Sequence, residues 1–317
     1  MSIVILMPIF EPQSQHFHAQ VQSLARQQYT DFVCIVSHDG PTSESRLDEF
    51  VRALPDKRFE LRVTDRRLGT YGHVEQLIAS DAQRRLFFAL CDQDDIWLPQ
   101  RLSNGLEQMA DAAVSAVSVN GQIVDDNLTS IKNRTTFGWF GHSIDNQSYR
   151  FLLNQMTGAS MLCRAERFCR CTPFPRNLGT AVHDHWVYLA ASATGRVVLD
   201  SRVSWLYRQH DRNQIGASAS RGFASRLSSG AAKAVSILRN RTAPEGDSVL
   251  TQALEFYNVA KSRWPDSMNG TEALPFALSA GNRIRLMLPR ALVDSRLESL
   301  RLAVAPATLG VGHVDAT

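Results

Sequence analysis

No run of apolar residues in this chain approaches the roughly 18 that a membrane-spanning helix needs, so nothing in it reads as a bilayer span. The opening Ser2-Ile3-Val4-Ile5-Leu6-Met7 lacks a basic lead-in and is broken by Pro8 and Glu11, which is not the pattern of a signal peptide. Five cysteines (Cys34, Cys91, Cys163, Cys169 and Cys171) form an odd set without a paired framework, which suits a reducing compartment and a cytoplasmic location. There is no GxxxxGK[ST] loop, no GxGxxG and no GxSxG, so the usual signatures of P-loop, dinucleotide-binding and serine-hydrolase chemistry are missing. Acid is absent from 212–244, where Arg212, Arg221, Arg226, Lys233, Arg239 and Arg241 fall. Such a stretch suits an anionic surface.

What is present is ordinary in composition. The chain has 317 residues, 44% apolar and 21% charged, and a net charge of +3, too small to argue for nucleic acid. That length holds one large domain or two smaller ones with a core that needs no staples. Short apolar runs at Ile3–Met7, Phe32–Val36, Leu61–Val63, Leu86–Leu90 and Val114–Val119 read as strands. Helical spacing fills the gaps at Gln13–Gln28, Ser43–Leu54, Val74–Arg84 and Gln100–Ala112, where Pro99 suits a first turn. The alternation predicts an α/β fold with a mostly parallel central sheet flanked by helices. Further on, Gly158–Arg164, Arg196–Asp200 and an alternating Val203–Tyr207 read as strands and His185–Thr194 as a helix. Beyond 221 the pattern is mostly helical, with Phe223, Leu227, Ala231, Ala234 and Leu238 on one face and Val293, Leu297, Leu300 and Val304 on another.

Ligands of open α/β sheets bind beyond the carboxyl ends of the strands. Here those ends carry Pro8-Ile9-Phe10-Glu11, His38-Asp39-Gly40, Leu68-Gly69 and Cys91-Asp92-Gln93-Asp94-Asp95, so acid collects along one edge. An i, i+2 aspartate pair such as Asp92 and Asp94 can hold Mg²⁺ or Mn²⁺ while leaving positions for phosphate oxygens; the alternative is a solvated acidic turn before the next helix. His183-Asp184-His185-Trp186 offers a general base or metal ligands, or else a helix N-cap at Asp184. In Tyr207-Arg208-Gln209-His210 a strand would deliver Arg208 and His210 to one side, a cation for phosphate and an imidazole for a metal. Cys169-Arg170-Cys171 followed by His183 and His185 fits none of the familiar zinc spacings.

Taken together, Ile5-Leu6-Met7-Pro8-Ile9-Phe10, Gln27-Gln28-Tyr29, Asp39-Gly40, Leu68-Gly69, Asp92-Gln93-Asp94-Asp95-Ile96-Trp97, Thr157-Gly158, His183-Asp184-His185-Trp186 and Tyr207-Arg208-Gln209-His210 with Asn213 and Gly216 resemble the family 2 glycosyltransferases, in their bacterial rhamnosyltransferase-like branch. The resemblance implies a GT-A fold over 1–216, with a nucleotide-sugar-binding half at 1–120 and an acceptor half at 121–216, followed by a mostly helical region at 217–317. It implies inverting transfer of a sugar, rhamnose from dTDP-L-rhamnose or a UDP-linked sugar, to a hydroxyl of a surface-polysaccharide precursor such as lipopolysaccharide. It assigns Asp184 as catalytic base, Asp94 and His210 as ligands of Mn²⁺ or Mg²⁺, and Pro8, Phe10, Glu11, Asp39, Gly69, Asp92 and Arg208 as the donor-binding set. The acceptor is a glycan or lipid-linked glycan, which would let 212–244 lie as a basic amphipathic helix on the inner membrane face, or else pack on the catalytic domain. The pattern departs from the family at Glu11, where Asn is usual, at His38, where an acid is usual, at Pro41 in place of Ser, and at His73 in place of Asn. A non-catalytic sugar-nucleotide or polysaccharide-binding scaffold is the competing reading, and a nucleotidyltransferase a weaker one.

Overall fold

A computed structural model describes residues 3–136, 150–151, 154, 156–178, 182–210, 242–244, 248–268, 276–279 and 283–286. The first half follows the βα alternation. Strand β1 (Ile3–Ile9) leads to α1 (Ser14–Ala25), β2 (Phe32–His38) to α2 (Glu44–Ala53), and β3 (Phe59–Val63) to α3 (Gly69–Asp81), after which β4 (Phe87–Leu90) enters the sheet. Strands β1, β2, β3 and β4 pair in parallel, in the spatial order β3-β2-β1-β4.

The second half changes direction. A two-residue strand β5 (Ile96–Trp97) and helix α4 (Arg101–Gln108) precede the long β6 (Val114–Val124) and its hairpin partner β7 (Ser130–Thr135). Then come β8 (Met161–Arg164), α5 (His183–Thr194) and β9 (Arg196–Arg208). Beyond β4 the sheet continues β8-β6-β9-β5, with β8 antiparallel to both neighbours, β9 parallel to β6, and β5 antiparallel to β9. The nine-stranded sheet is therefore parallel on one side and mixed on the other.

Alternation along β1 shows how the core is divided. Ile3, Ile5, Met7 and Ile9 pack with Phe17, Val21 and Leu24 of α1 on one face, while Val4 and Leu6 pack with Val74, Leu77 and Ile78 of α3 on the other. Successive side chains of a strand point to opposite faces, so a run that is apolar throughout demands cover on both sides. The helix stripe at Phe17, Val21 and Leu24 supplies that cover on the first face.

Several element boundaries differ from the sequence reading. Helix α3 begins at Gly69, five residues before the expected Val74, because Asp39 reaches across from the end of β2 and accepts the N–H groups of Leu68 (2.7 Å) and Gly69 (2.9 Å). The segments Arg196–Asp200 and Val203–Tyr207 are one strand of 13 residues, held by β6 across register shifts that absorb the interruption. Helix α4 starts at Arg101 and ends at Gln108, so Pro99 stands before its N-cap and the helix stops short of Ala112.

Beyond residue 221 the described residues form helix α6 (Ser248–Arg263) and a three-stranded antiparallel sheet of β10 (Thr242–Pro244), β11 (Phe276–Ser279) and β12 (Arg283–Leu286). Phe256 and Trp264 of this region pack on Trp186 of α5. The apolar faces expected at 223–238 and 293–304, and the basic stretch 212–241, lie outside the described residues.

The β6–β9 pairing leaves no room beside Gly121, where an added Cβ would stand 2.6 Å from the Trp205 indole. Trp205 cannot simply swing away, because it is fully buried and its Nε1 donates to the Val119 carbonyl at 3.2 Å. We expect Gly121→Ala to destabilise the fold by about 1–3 kcal/mol through overpacking, read as a lowered urea midpoint with an unchanged m-value.

Candidate active site

The centre of the site is the turn Asp92-Gln93-Asp94-Asp95 that follows β4. Two sets of contacts fix it. Gln93 accepts the Phe10 N–H at 2.8 Å, joining the turn to the end of β1. On the other side β5 pairs with β9, Ile96 opposite Leu206 and Trp97 opposite Trp205, which draws the turn onto Arg208 and His210. Residues more than a hundred positions apart thereby become neighbours.

Arg208 locks that junction. Its backbone N–H donates to Asp95 Oδ1 (3.1 Å), its Nε to the Asp94 carbonyl (2.8 Å) and its Nη1 to the Asp126 carbonyl (2.6 Å). The sequence reading gave Arg208 a phosphate; the structure buries it and places its guanidinium on two backbone carbonyls. Asp95 is fully buried, and burial followed by the charges of Asp94 and Asp92 pushes its carboxyl well above the usual range. Its Oδ2 has no hydrogen bond among the described residues.

Asp94 and His210 meet at 2.8 Å between Oδ2 and Nε2. His16 of α1 stands behind them, its ring 5.0 Å from that of His210 and its Nε2 3.4 Å from Asp126 Oδ1. Burial, then the neighbouring Arg208 and His210, hold the His16 imidazole below its usual value. No group of three or more His, Cys, Asp and Glu side chains converges as a metal set among the described residues. A carboxylate and an imidazole are still a suitable partial set for Mg²⁺ or Mn²⁺, which keep coordination sites for water and for a substrate's phosphates.

Asp184 enters from α5. It is buried at the helix's first turn, where Asn154 Nδ2 donates to Oδ1 (2.8 Å) and the Gly158 N–H to Oδ2 (3.3 Å). Gly158 belongs there because a Cβ would sit 2.7 Å from His183 Nε2. Burial outweighs those hydrogen bonds, so the Asp184 carboxyl is raised to about 7. Asp92 is also raised to about 7, by burial, then by Asp94 and Asp184. The phenol of Tyr207 is pushed up by burial and then by Asp95, Asp92, Asp94 and Asp184. Four carboxyls therefore share one field around Tyr207, balanced in part by the buried Arg101.

The flanking histidines have other work. His185 Nε2 donates to the Arg150 carbonyl at 2.6 Å, and burial lowers both His183 and His185 to about 4. Cys171 is buried with its thiol raised to about 12, and the exposed Cys169 thiol lies on the Glu166 carbonyl and Gln83.

At the far edge, Pro8 and Ile9 of β1 lie beside Ser37 and His38 of β2. Phe10 is 37% exposed, with the Arg67 guanidinium 3.8 Å over its ring. Glu11 adopts φ 40°, and its carboxylate lies 3.7 Å from His38 Nε2 and 3.8 Å from Arg46 Nη2. Asp39, expected to meet base and ribose, holds the start of α3 with both oxygens. Gly40 and Gly69, at φ 96° and 72°, supply the left-handed backbone this crossing requires. The departure at His73 is internal, since its Nε2 meets the Ser37 hydroxyl at 2.8 Å.

The profile of glycosyl transferase family 2 matches residues 5–172, just over half of the chain. The chain belongs to this family. It is a glycosyltransferase, and the mixed sheet with flanking helices is the GT-A fold. Among solved structures it is similar to residues 1–349 of TarS from S. aureus in complex with UDP-GlcNAc, at 12% identity and a TM-score of 0.51, over 86% of this chain and 77% of that one. It is also similar to the mannosyltransferase PcManGT from Pyrobaculum calidifontis in complex with GDP-Man and Mn²⁺, at 17% identity and a TM-score of 0.48, over 95% and 80%. Curated protein sequences show no match.

Asn154, His16, Asp126, Arg101 and Gln93 are the site residues that sequence reasoning missed. All but Arg101 act through a contact at least 30 residues away, as Asn154 does on Asp184. Only Gln93 lies within a motif, the acidic turn, where its link to Phe10 is not visible from spacing.

The raised carboxyl of Asp184 has a consequence for stability. Folded, it binds a proton up to about pH 7, whereas an ordinary aspartate releases it near 3.8. Its contribution is complete below about pH 4 and is lost as pH rises through 7. Relative to wild type, Asp184→Asn should therefore gain thermal stability progressively between pH 4 and 7 and hold that gain above it, read as the difference of the two melting curves across pH.

Proposed function

We propose that this family 2 enzyme is an inverting, metal-dependent transferase with Asp184 as its base. The carrying observation is Asp184 itself, a buried carboxyl near neutrality whose field reaches Asp92 of the acidic turn. A base poised near the working pH combines the correct protonation state with adequate driving force. In the reaction, Asp184 accepts the proton of the acceptor hydroxyl as that oxygen attacks the anomeric carbon. The bond from that carbon to the diphosphate breaks on the opposite face, so configuration inverts. The leaving diphosphate needs no carboxylic acid to protonate it, unlike the alcohol released by a glycosidase.

Asp94 and His210 are the residues that would hold Mn²⁺ or Mg²⁺. When bound, such an ion neutralises charge on the departing diphosphate. Arg208 contributes by fixing the turn that carries Asp94, and His16 by packing on the His210 ring. Asp92 feels the charges of both Asp94 and Asp184, and in this reading it meets the ribose and diphosphate. Pro8, Phe10, Glu11, Asp39 and Gly69 border the cleft at the ends of β1 and β2, the place of the base.

For the sugar we carry rhamnose, and for the acceptor a glycan or lipid-linked precursor of a surface polysaccharide. Both follow from the branch that the motifs resemble. No helix among the described residues is long and apolar enough to cross a membrane. A cytoplasmic enzyme touching the inner membrane face through the basic 212–244 stretch agrees with the composition of that segment.

Two measurements test the reading. Asp184→Asn should abolish transfer while leaving donor affinity near wild type, and the wild-type kcat/KM should rise through about pH 7 and then level off. Residual transfer by Asp184→Asn within about tenfold of wild type would remove Asp184 from the base role. In thermal melts, a saturating nucleoside diphosphate at about 100 times its Kd should stabilise the protein by about 2.7 kcal/mol. That shift should need Mn²⁺ and should disappear in Asp94→Ala. A shift of equal size without metal, or in the variant, would end the metal assignment.

A further inference from the structure

We propose that the donor carries guanine and that Glu11 reads it, in place of the thymine that the resemblance implies. The inference rests on the reading of the β1–β2 edge as the donor's base site. Strands β1 and β2 run in parallel and end together, Ile9 opposite His38, so residues 10–11 and 38–40 lie together at the carboxyl edge of the sheet, where ligands of open α/β sheets bind. The guanidinium carbon of the exposed Arg67 stands over the Phe10 ring there, 3.8 Å from its centroid. A base can take Arg67's place on the ring. Stacking alone accepts any base, because every base has a π-face.

Glu11 supplies the discrimination. Its φ of 40° is a left-handed conformation that glutamate rarely adopts, held while its side chain lies 56% exposed. Two basic side chains stand beside the carboxylate, neither within hydrogen-bond distance of it. His38 Nε2 lies 3.7 Å from Oε1, and Arg46 Nη2 lies 3.8 Å from Oε2. Arg46 is itself anchored, donating to Glu49 Oε2 at 2.6 Å and to the Pro12 carbonyl at 3.1 Å. His38 is fully buried and its Nδ1 donates to the Gly40 carbonyl at 2.7 Å, so the imidazole cannot turn away.

An ionised carboxylate offers acceptors and no donor. Guanine presents two adjacent donors, N1–H and the 2-amino group, which match the two oxygens of one carboxylate. Thymine and uracil present one N–H between two carbonyls, so a carboxylate that accepts the N–H sets its second oxygen against a carbonyl lone pair. Adenine and cytosine set a bare ring nitrogen beside their amino group, with the same conflict. Guanidinium groups are the usual partners of guanine O6 and N7, and Arg46 and Arg67 both stand at this edge.

The two departures from the family pattern at this edge are in contact with each other. An acid at position 38 would face the Glu11 carboxylate and repel it, whereas His38 tolerates it.

The experiment is calorimetric titration of the full chain, in Mn²⁺, with GDP, UDP, dTDP and ADP, for wild type and Glu11→Gln. Glutamine keeps the size and the backbone preference but replaces one acceptor with a donor. GDP should bind wild type at least about tenfold more tightly than the other three, and Glu11→Gln should lose most of that margin by weakening GDP alone. Tightest binding of UDP, dTDP or ADP would overturn the guanine assignment and leave the donor site standing. A guanine preference that survives in Glu11→Gln would overturn the role of Glu11. Binding of none of the four would overturn the donor-site reading, and this inference with it.

Discussion

The structure depends on a short antiparallel contact between β5 and β9, two residues long on one side, and on the buried Arg208 that extends it. Without that contact the acidic turn after β4 would be a solvated loop of mutually repelling carboxylates. With it, Asp95 and Asp94 are clamped by the backbone and guanidinium of Arg208, and His210 is carried onward to Asp94. A strand of 13 residues that runs the length of β6 before reaching the turn gives the clamp a stiff support. Glycosyl transfer between charged and neutral partners requires groups fixed before reaction, because reorganisation of polar groups during the reaction is what a preorganised site avoids.

Burial of so many acids is costly, and its distribution explains the division of labour. Asp95 is the most buried and faces a backbone N–H, so it serves the fold. Asp94 faces an imidazole and is more open, so it is available to a cation. Asp184 accepts hydrogen bonds that do not offset its desolvation, and so it retains affinity for a proton. Like charges in one region cannot all ionise freely, and their environments push them into different roles. Arg101 shares the cost from below, stacked 3.8 Å over the Trp97 ring, with burial lowering its own pKa to about 9.

Much of this was legible before any coordinates. The strand and helix alternation of the first 120 residues placed Pro8, Phe10, Asp39 and Asp92 on one edge of a sheet, and a family resemblance carried Asp94, Asp184 and His210. Boundaries were misread where a distant group caps or pairs the segment. Asp39 starts α3 early, and β6 carries the strand through Asp200 to Arg208. Roles are hidden in the same way. A strand that delivers Arg208 beside His210 suggests a cation for phosphate, and only the folded turn shows that its Nε and Nη1 also hold two backbone carbonyls.

The sequence by itself determined the class of protein. Apolar runs of strand length alternating with helical stripes can be covered only as a layered α/β domain, and carboxylates at strand ends then line one edge by topology alone. The tertiary structure alone decided which acid touches what. Hydrogen bonds from Asn154, Gly158 and Arg208, and the pairing of His16 with His210, span 26 to 194 positions of chain. Spacing along the chain encodes periodicity within an element; it does not encode which ends meet, because that is set by how the faces of all the elements pack at once.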